Sequence, residues 1–167
     1  MGSGKSTTGR VLAALLSWSF VDLDCEIERA EGRILREIFS QDGEAQFREI
    51  ETAALRSILA GMQSPTVLAS GGGTCVQARN AELLRTAGAT VIFLDASAET
   101  LLQRCSSEAA GSMDEIRPLA RDRESFLRLY EERLPLYRAA NLTVVCETKQ
   151  PQEVAREIAE QLGLLKT

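Results

Sequence analysis

Met1-Gly2-Ser3-Gly4-Lys5-Ser6-Thr7 opens the chain, and the reading of these residues decides the fold. They match the end of the pattern G-x-x-x-x-G-K-[ST], a Gly-rich turn that carries the backbone from a strand into a helix. Gly4, Lys5 and Ser6 supply its last three positions, whereas its first glycine falls ahead of Met1 and its strand earlier still. Backbone N–H groups around Gly2, Ser3 and Gly4 can wrap a phosphate, with the positive end of the following helix dipole aimed at it. Lys5 adds a cation for β- and γ-phosphates, and Ser6 a hydroxyl for Mg²⁺. A nucleoside triphosphate is the expected ligand.

Outward from this turn, helices and strands alternate. Val11, Leu12, Leu15 and Leu16 share one side of a helix running from Lys5 to Leu16. Phe20-Val21-Asp22-Leu23 reads as a buried strand, followed by a helical stretch from Glu26 to about Phe39 with an interruption near Gly32. Gln41-Asp42-Gly43 reads as a turn, and Glu44 to about Ala60 as a further helix. Thr66 to Ser70 is a second strand, ending in Gly71-Gly72-Gly73. A helix over 77–86 leads to the strand Thr90–Asp95, then a helix from Ser97 to about Cys105. Ser106 to Asp114 is small, polar and acidic, and reads as a mobile loop. Glu124 to Ala139 is helical, Leu142 to Cys146 a last strand, and 151–164 a last helix admitted by Pro151 in its first turn. This alternation predicts an α/β fold: a parallel sheet covered by helices on both faces, in a single domain over 1–167.

The 167 residues suffice for a proper core, and 44% apolar with 26% charged residues is ordinary for a globular chain. A net charge of −5 argues against a nucleic-acid partner. No apolar run approaches the roughly 18 residues of a spanning helix, so no membrane partner is expected. Histidine is absent, which excludes Ser-His-Asp and Cys-His catalysis and histidine-ligated metals. Any general base is then a carboxylate, Lys, Tyr or Cys. The four cysteines are widely spaced without a C-x-x-C pair, and read as reduced thiols of a cytoplasmic protein.

Asp22 and Asp24, as residues i and i+2 of a strand, would project from one face at the sheet's C-terminal edge, where ligands of open α/β sheets bind. One carboxylate could hold Mg²⁺ through water while the other accepts a proton from an attacking hydroxyl. Arg48 and Glu51 are three apart on one helix and face each other. Three consecutive glycines cost conformational entropy, which makes sense where a ligand must approach the backbone closely. Arg117 and Arg133 offer the planar fork that pairs with carboxylate or phosphate oxygens.

In combination these motifs resemble the shikimate kinase family over essentially the whole chain. G-S-G-K-S-T, V-D-L-D, F-R-E-I-E at 47–51, S-G-G-G at 70–73, V-I-F-L-D-A-S-A-E-T-L-L at 91–102, R-P-L at 117–119 and E-E-R-L-P-L-Y at 131–137 occur in the family's order. The resemblance implies a fold similar to nucleoside monophosphate kinases: a five-stranded parallel sheet, a substrate-binding helical segment at about 25–61 and a lid at about 106–121. It assigns Gly2, Ser3, Gly4, Lys5, Ser6 and Thr7 to the phosphates of ATP, with Lys5 also catalytic. Ser6 and Asp22 would serve Mg²⁺, and Asp24 the reacting hydroxyl. Arg48 and Arg133 would bind the shikimate carboxylate, with Glu51 holding Arg48, and Gly71, Gly72 and Gly73 would approach the substrate ring. Arg117 would swing in on the lid to neutralise the transferring phosphoryl group, and Gln150, within Lys149-Gln150-Pro151, would lie beside adenine. The lid stretch from Arg104 to Arg117 is longer than the family's usual one.

The expected reaction is transfer of the ATP γ-phosphoryl group to the 3-hydroxyl of shikimate, in aromatic amino-acid biosynthesis, by a cytoplasmic monomer. The alternatives are another small-acid P-loop kinase, such as a gluconate kinase, or a nucleotide-binding protein without catalysis. In the family's fold the strand ahead of the P-loop lies mid-sheet. Burying four or five aliphatic side chains there is worth on the order of 6–15 kcal/mol, comparable to a whole domain's roughly 5–15 kcal/mol. The chain as written is therefore expected to fold poorly or to pair its sheet abnormally.

Overall fold

The computed structural model describes residues 2–109 and 123–165, for residues 106–109 the backbone only. Helix α1, Lys5–Leu16, starts inside the Gly-rich turn as the periodicity predicts, and buries Thr8, Gly9, Leu12 and Ala13. Gly9 lets this helix press onto the next strand: a Cβ there would stand 2.8 Å from the Phe20 ring. The chain leaves α1 through Ser17 in the left-handed region (φ 55°) and enters strand β1, Ser19–Asp22.

Asp22 ends that strand. Its backbone is still extended, but it is already the N-cap of helix α2, Leu23–Glu31, and its Oδ1 accepts the Asp24 amide at 3.1 Å. The expectation that Asp22 and Asp24 share a strand face is thereby corrected: an aspartate that can cap turns the backbone into a helix one residue on. Gly32 (φ 63°) stops α2. Helix α3 then runs Leu35–Gly61, kinked at Gly43 (φ 79°, ψ 171°) where the sequence predicts a turn. Strand β2 is Thr66–Ala69, helix α4 Ala78–Thr86, strand β3 Ile92–Asp95 and helix α5 Ala98–Ala109. Ser106 to Ala109 therefore continue a helix rather than open a loop, and the rest of the expected loop and lid lies outside the described residues. Helix α6, Arg123–Tyr137, strand β4, Leu142–Val145, and helix α7, Pro151–Gln161, complete the order.

The described strands form two parallel pairs. Strand β1 pairs with β2 in the register Ser19↔Thr66 to Asp22↔Ala69, and β3 with β4 from Ile92↔Leu142 to Asp95↔Val145. Among the described residues, the edge of β2 away from β1 and the edge of β3 away from β4 carry no strand partner. Helices carry the continuity instead. Alternation along β2 sends Val67 into a cluster with Leu12, Leu94, Val144 and Ile158, and Leu68 into one with Leu23, Ile27, Leu55 and Leu84. The first cluster joins α1 and α7 to both strand pairs, and the second joins α2, α3 and α4 beneath β2. No described helix is long and apolar enough to cross a membrane.

The two clusters carry the stability. Leu55, with no exposed surface, is expected to lose about 2–5 kcal/mol on Leu55→Ala, whereas Leu15, 47% exposed, should lose under about 1 kcal/mol on Leu15→Ala. Urea unfolding of the two variants measures the contrast, and equal losses would contradict this division of the core.

Candidate functional site

The strand ends converge on the Gly-rich turn. Gly2 (φ 68°) and Gly4 (φ 73°) both lie in the left-handed region, and a Cβ on Gly2 would meet the Leu101 carbonyl at 2.7 Å. Glycine is required at Gly2 on both counts. Gly4 is the N-cap of α1, and no side chain caps that end. The first turn of the helix thus presents its dipole and backbone donors to the turn, the arrangement that binds anions. Lys5 arches back, its ammonium 3.4 Å from the Ser3 hydroxyl.

A cavity of about 280 Å³ opens beside this turn. Gly2, Ser3, Gly4 and Thr7 form one wall, and Lys149, Gln150 and Pro151 at the head of α7 form the other. The residues expected to hold phosphates and adenine are therefore neighbours. Gln150 sits at the N-cap of α7, where its amide donates to the Glu153 carboxylate at 2.7 Å. Arg104, which sequence reasoning did not single out, also lines this cavity. Its guanidinium donates to the carbonyls of Cys146 (3.0 Å) and Glu147 (2.8 Å) and reaches that of Gly2 (3.5 Å). It thereby fastens the turn to the end of β4. One arginine on a helical surface carries no sequence signal for such a role.

From the turn, a line of contacts leads away from this cavity. Ser6 donates to Asp22 Oδ2 at 2.6 Å, which brings two hard oxygen donors together at the base of the Gly-rich turn. The chemistry of this donor set, one carboxylate and one hydroxyl, fits Mg²⁺, a hard cation that prefers oxygen donors. Asp24, in the first turn of α2, faces the start of the glycine run: its Oδ1 lies 3.5 Å from the position of a Cβ on Gly71.

Glu51 lies on the other side of Gly71. It is 1% exposed, and its carboxylate accepts from Thr74 Oγ1 (2.7 Å), Gln77 Nε2 (2.7 Å) and Arg48 Nη1 (3.0 Å). A buried carboxylate needs this full set of donors. The pairing of Arg48 with Glu51 was legible as an i, i+3 pair, but Thr74 and Gln77 come from a different segment and were not. Arg48 is partly buried, which alone would lower its proton affinity, but the hydrogen bonds and charges of Glu51 and Glu44 outweigh this and raise it. Its guanidinium also contacts Glu44 Oε1 at 3.1 Å and lies over the Phe47 ring.

The glycine run turns tightly, with the Thr74 amide donating to the Gly71 carbonyl at 3.1 Å. Its glycines make room for the chain's own side chains, a correction to the view that a ligand's approach alone demands them. A Cβ on Gly73 would stand 2.6 Å from both Arg48 Nη atoms, and one on Gly72 would stand 3.0 Å from the Tyr137 hydroxyl. Arg133 lies half-buried on α6, one helical turn before Tyr137. Arg117 lies outside the described residues. The Gly-rich turn, Asp22, Asp24, Gly71 and Arg48 thus form one connected line, and the glycine run links that line to the helix bearing Arg133.

Known proteins resemble this chain in both sequence and fold. The family model described as shikimate kinase matches residues 1–163. A shikimate kinase of Synechococcus sp. (strain CC9605) is 42% identical over 99% of this chain and 80% of its own length. One from Sulfurihydrogenibium sp. (strain YO3AOP1) is 37% identical over 97% of this chain and 93% of its own. Among solved structures, the shikimate kinase of Acinetobacter baumannii in complex with shikimate superposes with a TM-score of 0.83 at 37% identity, covering 97% of this chain and 88% of that one. That of Aquifex aeolicus gives a TM-score of 0.79 at 31% identity, covering 98% and 91%. With the family model matched over residues 1–163 and relatives up to 42% identical, the chain belongs to the shikimate kinase family.

Proposed function

We propose that the chain transfers the γ-phosphoryl group of ATP to the 3-hydroxyl of shikimate, giving ADP and shikimate 3-phosphate. The observation that carries this reading is the run of neighbours from Ser6 through Asp22 and Asp24 to the glycine run, against which the Arg48 guanidinium lies. This run of neighbours supports a reading in which phosphates bind at one end and the Arg48 guanidinium receives a carboxylate at the other, with Asp24 between them as the base.

Phosphoryl transfer needs in-line positioning and charge neutralisation more than covalent help. The Gly2–Gly4 turn and the N-terminus of α1 hold the phosphates, and Lys5 follows the β- and γ-oxygens. Ser6 and Asp22 would hold Mg²⁺, Asp22 through water. The ion, when bound, offsets charge on the β- and γ-phosphate oxygens. Asp24 orients the acceptor hydroxyl and takes its proton as the oxygen bonds to the γ-phosphorus and the bond to the β-phosphate oxygen breaks. Arg48 and Arg133 grip the substrate carboxylate, Glu51 keeps Arg48 aimed, and the glycine run lies against the ring. Arg117, on the expected lid over 106–121, would bring charge to the transferring group, and lid closure would exclude water as a competing acceptor. Gln150 would flank adenine. The segment over 25–61 would carry the acceptor site within one domain of 1–167. A net charge of −5 suits a protein without nucleic-acid partners, and we take the chain to act as a cytoplasmic monomer.

Glu44 adds a feature of its own. It is 67% exposed and holds the side of Arg48 that Glu51 leaves open, so an incoming substrate carboxylate replaces it.

An ADP-release assay with shikimate, gluconate and other small hydroxy acids tests the reading. Turnover with shikimate alone is expected, and turnover confined to another acid would refute it. Asp24→Asn should lower kcat by roughly 100-fold or more. Arg133→Ala should act chiefly on KM for shikimate, and near-normal kinetics in both variants would remove the site assignment. Glu44→Gln should lower KM for shikimate by up to about fivefold at low salt, the scale of one exposed ion pair. A rise in KM would show that Glu44 supports the site instead of occupying it.

A further inference from the structure

Helix α6 carries three residues on one stripe, Tyr130, Arg133 and Tyr137, at spacings of three and four. Both tyrosines end on backbone carbonyls at the strand ends. Tyr130 donates to the Ala96 carbonyl, just past β3, at 3.1 Å, and Tyr137 to the Gly72 carbonyl, just past β2, at 2.7 Å. The Tyr137 ring also stacks on Phe93 of β3, with centroids 5.3 Å apart and planes 29° from parallel. Tyr137 therefore touches β3 and the turn that follows β2, elements of two strand pairs that share no ladder among the described residues. Next to Gly72 stands Gly73, whose Cβ position lies 2.6 Å from the Arg48 guanidinium.

We propose that Tyr137 is a positioning residue that fixes the separation between Arg133 and Arg48, and with it the fit of the substrate carboxylate. Its hydroxyl ties the helix bearing Arg133 to the turn that abuts Arg48, and its ring holds that tie against the sheet. The bond is short, half-buried and made to a carbonyl in a turn of three glycines, which has no side chains of its own to hold it in place. Without the hydroxyl, the turn and helix α6 can shift independently, and the two arginines lose their common register. The inference rests on the shikimate kinase reading for its substrate, though the tie itself does not.

Tyr137→Phe removes the hydroxyl and keeps the ring stack, so thermal stability should stay close to the parent's. KM for shikimate should rise roughly 3–10-fold, the scale of one hydrogen bond, while KM for ATP changes less than about twofold. In the ligand-free protein, amides over 70–75 should exchange with deuterium roughly 10-fold faster, with α1 and α7 unchanged. Unaltered exchange over 70–75 overturns the proposal, whatever the substrate. Faster exchange with an unchanged KM for shikimate in an active enzyme overturns it as well, as does an equal rise in both KM values. A parent chain that turns over another acid but not shikimate removes the functional reading, while the exchange data still decide the tie.

Discussion

The site depends on one buried charge. Glu51 is withdrawn from water, and an isolated carboxylate in that position would be strongly destabilising. Three donors from separate places in the chain prevent this: Arg48 on its own helix, Thr74 at the end of the glycine turn, and Gln77 at the head of α4. Satisfying Glu51 therefore ties Thr74 and the head of α4 to helix α3. It also points the Arg48 guanidinium along the glycine run, where a Cβ on Gly73 would push the guanidinium out of place. Removing one donor would leave the charge buried and partly unpaired, which costs more than the lost bond itself. The helix backbone is held from behind, since the Arg48 carbonyl accepts from Thr52 (2.9 Å) and Arg79 (2.8 Å).

Around this anchor, the fold assembles the site from ends. Asp22 closes β1, the glycine run follows β2, Cys146 and Glu147 follow β4, and α1 begins at Lys5, just after its N-cap Gly4. All are termini, and termini are where backbone donors and acceptors remain available for ligands and caps. The described sheet falls into two pairs, so its alignment rests on helix packing through Leu12, Val67 and Leu94, and on side chains that reach across. Arg104, between the Gly-rich turn and β4, and Tyr137, between Gly72 and Phe93, act at that level.

Much of this was legible in the sequence where a local rule governs. The G-S-G-K-S-T run has one physical use, and α1 occupies Lys5–Leu16 as its periodicity requires. The Arg48–Glu51 pair follows from helical spacing. Legibility failed where two local rules compete. Asp22-Leu23-Asp24 obeys strand alternation and also offers an N-cap, and the cap prevailed, so the two carboxylates are set by a turn and not by a pleat. It failed again where partners are distant in the chain. Nothing near Thr74, Gln77 or Tyr137 announces that they meet Glu51 and Gly72 across 23, 26 and 65 residues. The glycine run was noticed for the right cost but for an incomplete cause, because Arg48 and the Tyr137 hydroxyl take much of the space that the missing side chains leave.

On the proposed reading, the buried Glu51 aims Arg48 at the carboxylate of an acid whose hydroxyl faces Asp24. A crystal structure of the chain with ADP and shikimate decides this. The expected result is the shikimate carboxylate between Arg48 and Arg133, with Glu44 displaced from Arg48 and the 3-hydroxyl within hydrogen-bonding distance of Asp24. A shikimate carboxylate bound instead at the Gly-rich turn, or an Arg48 still held by Glu44 with the acid elsewhere, would contradict it.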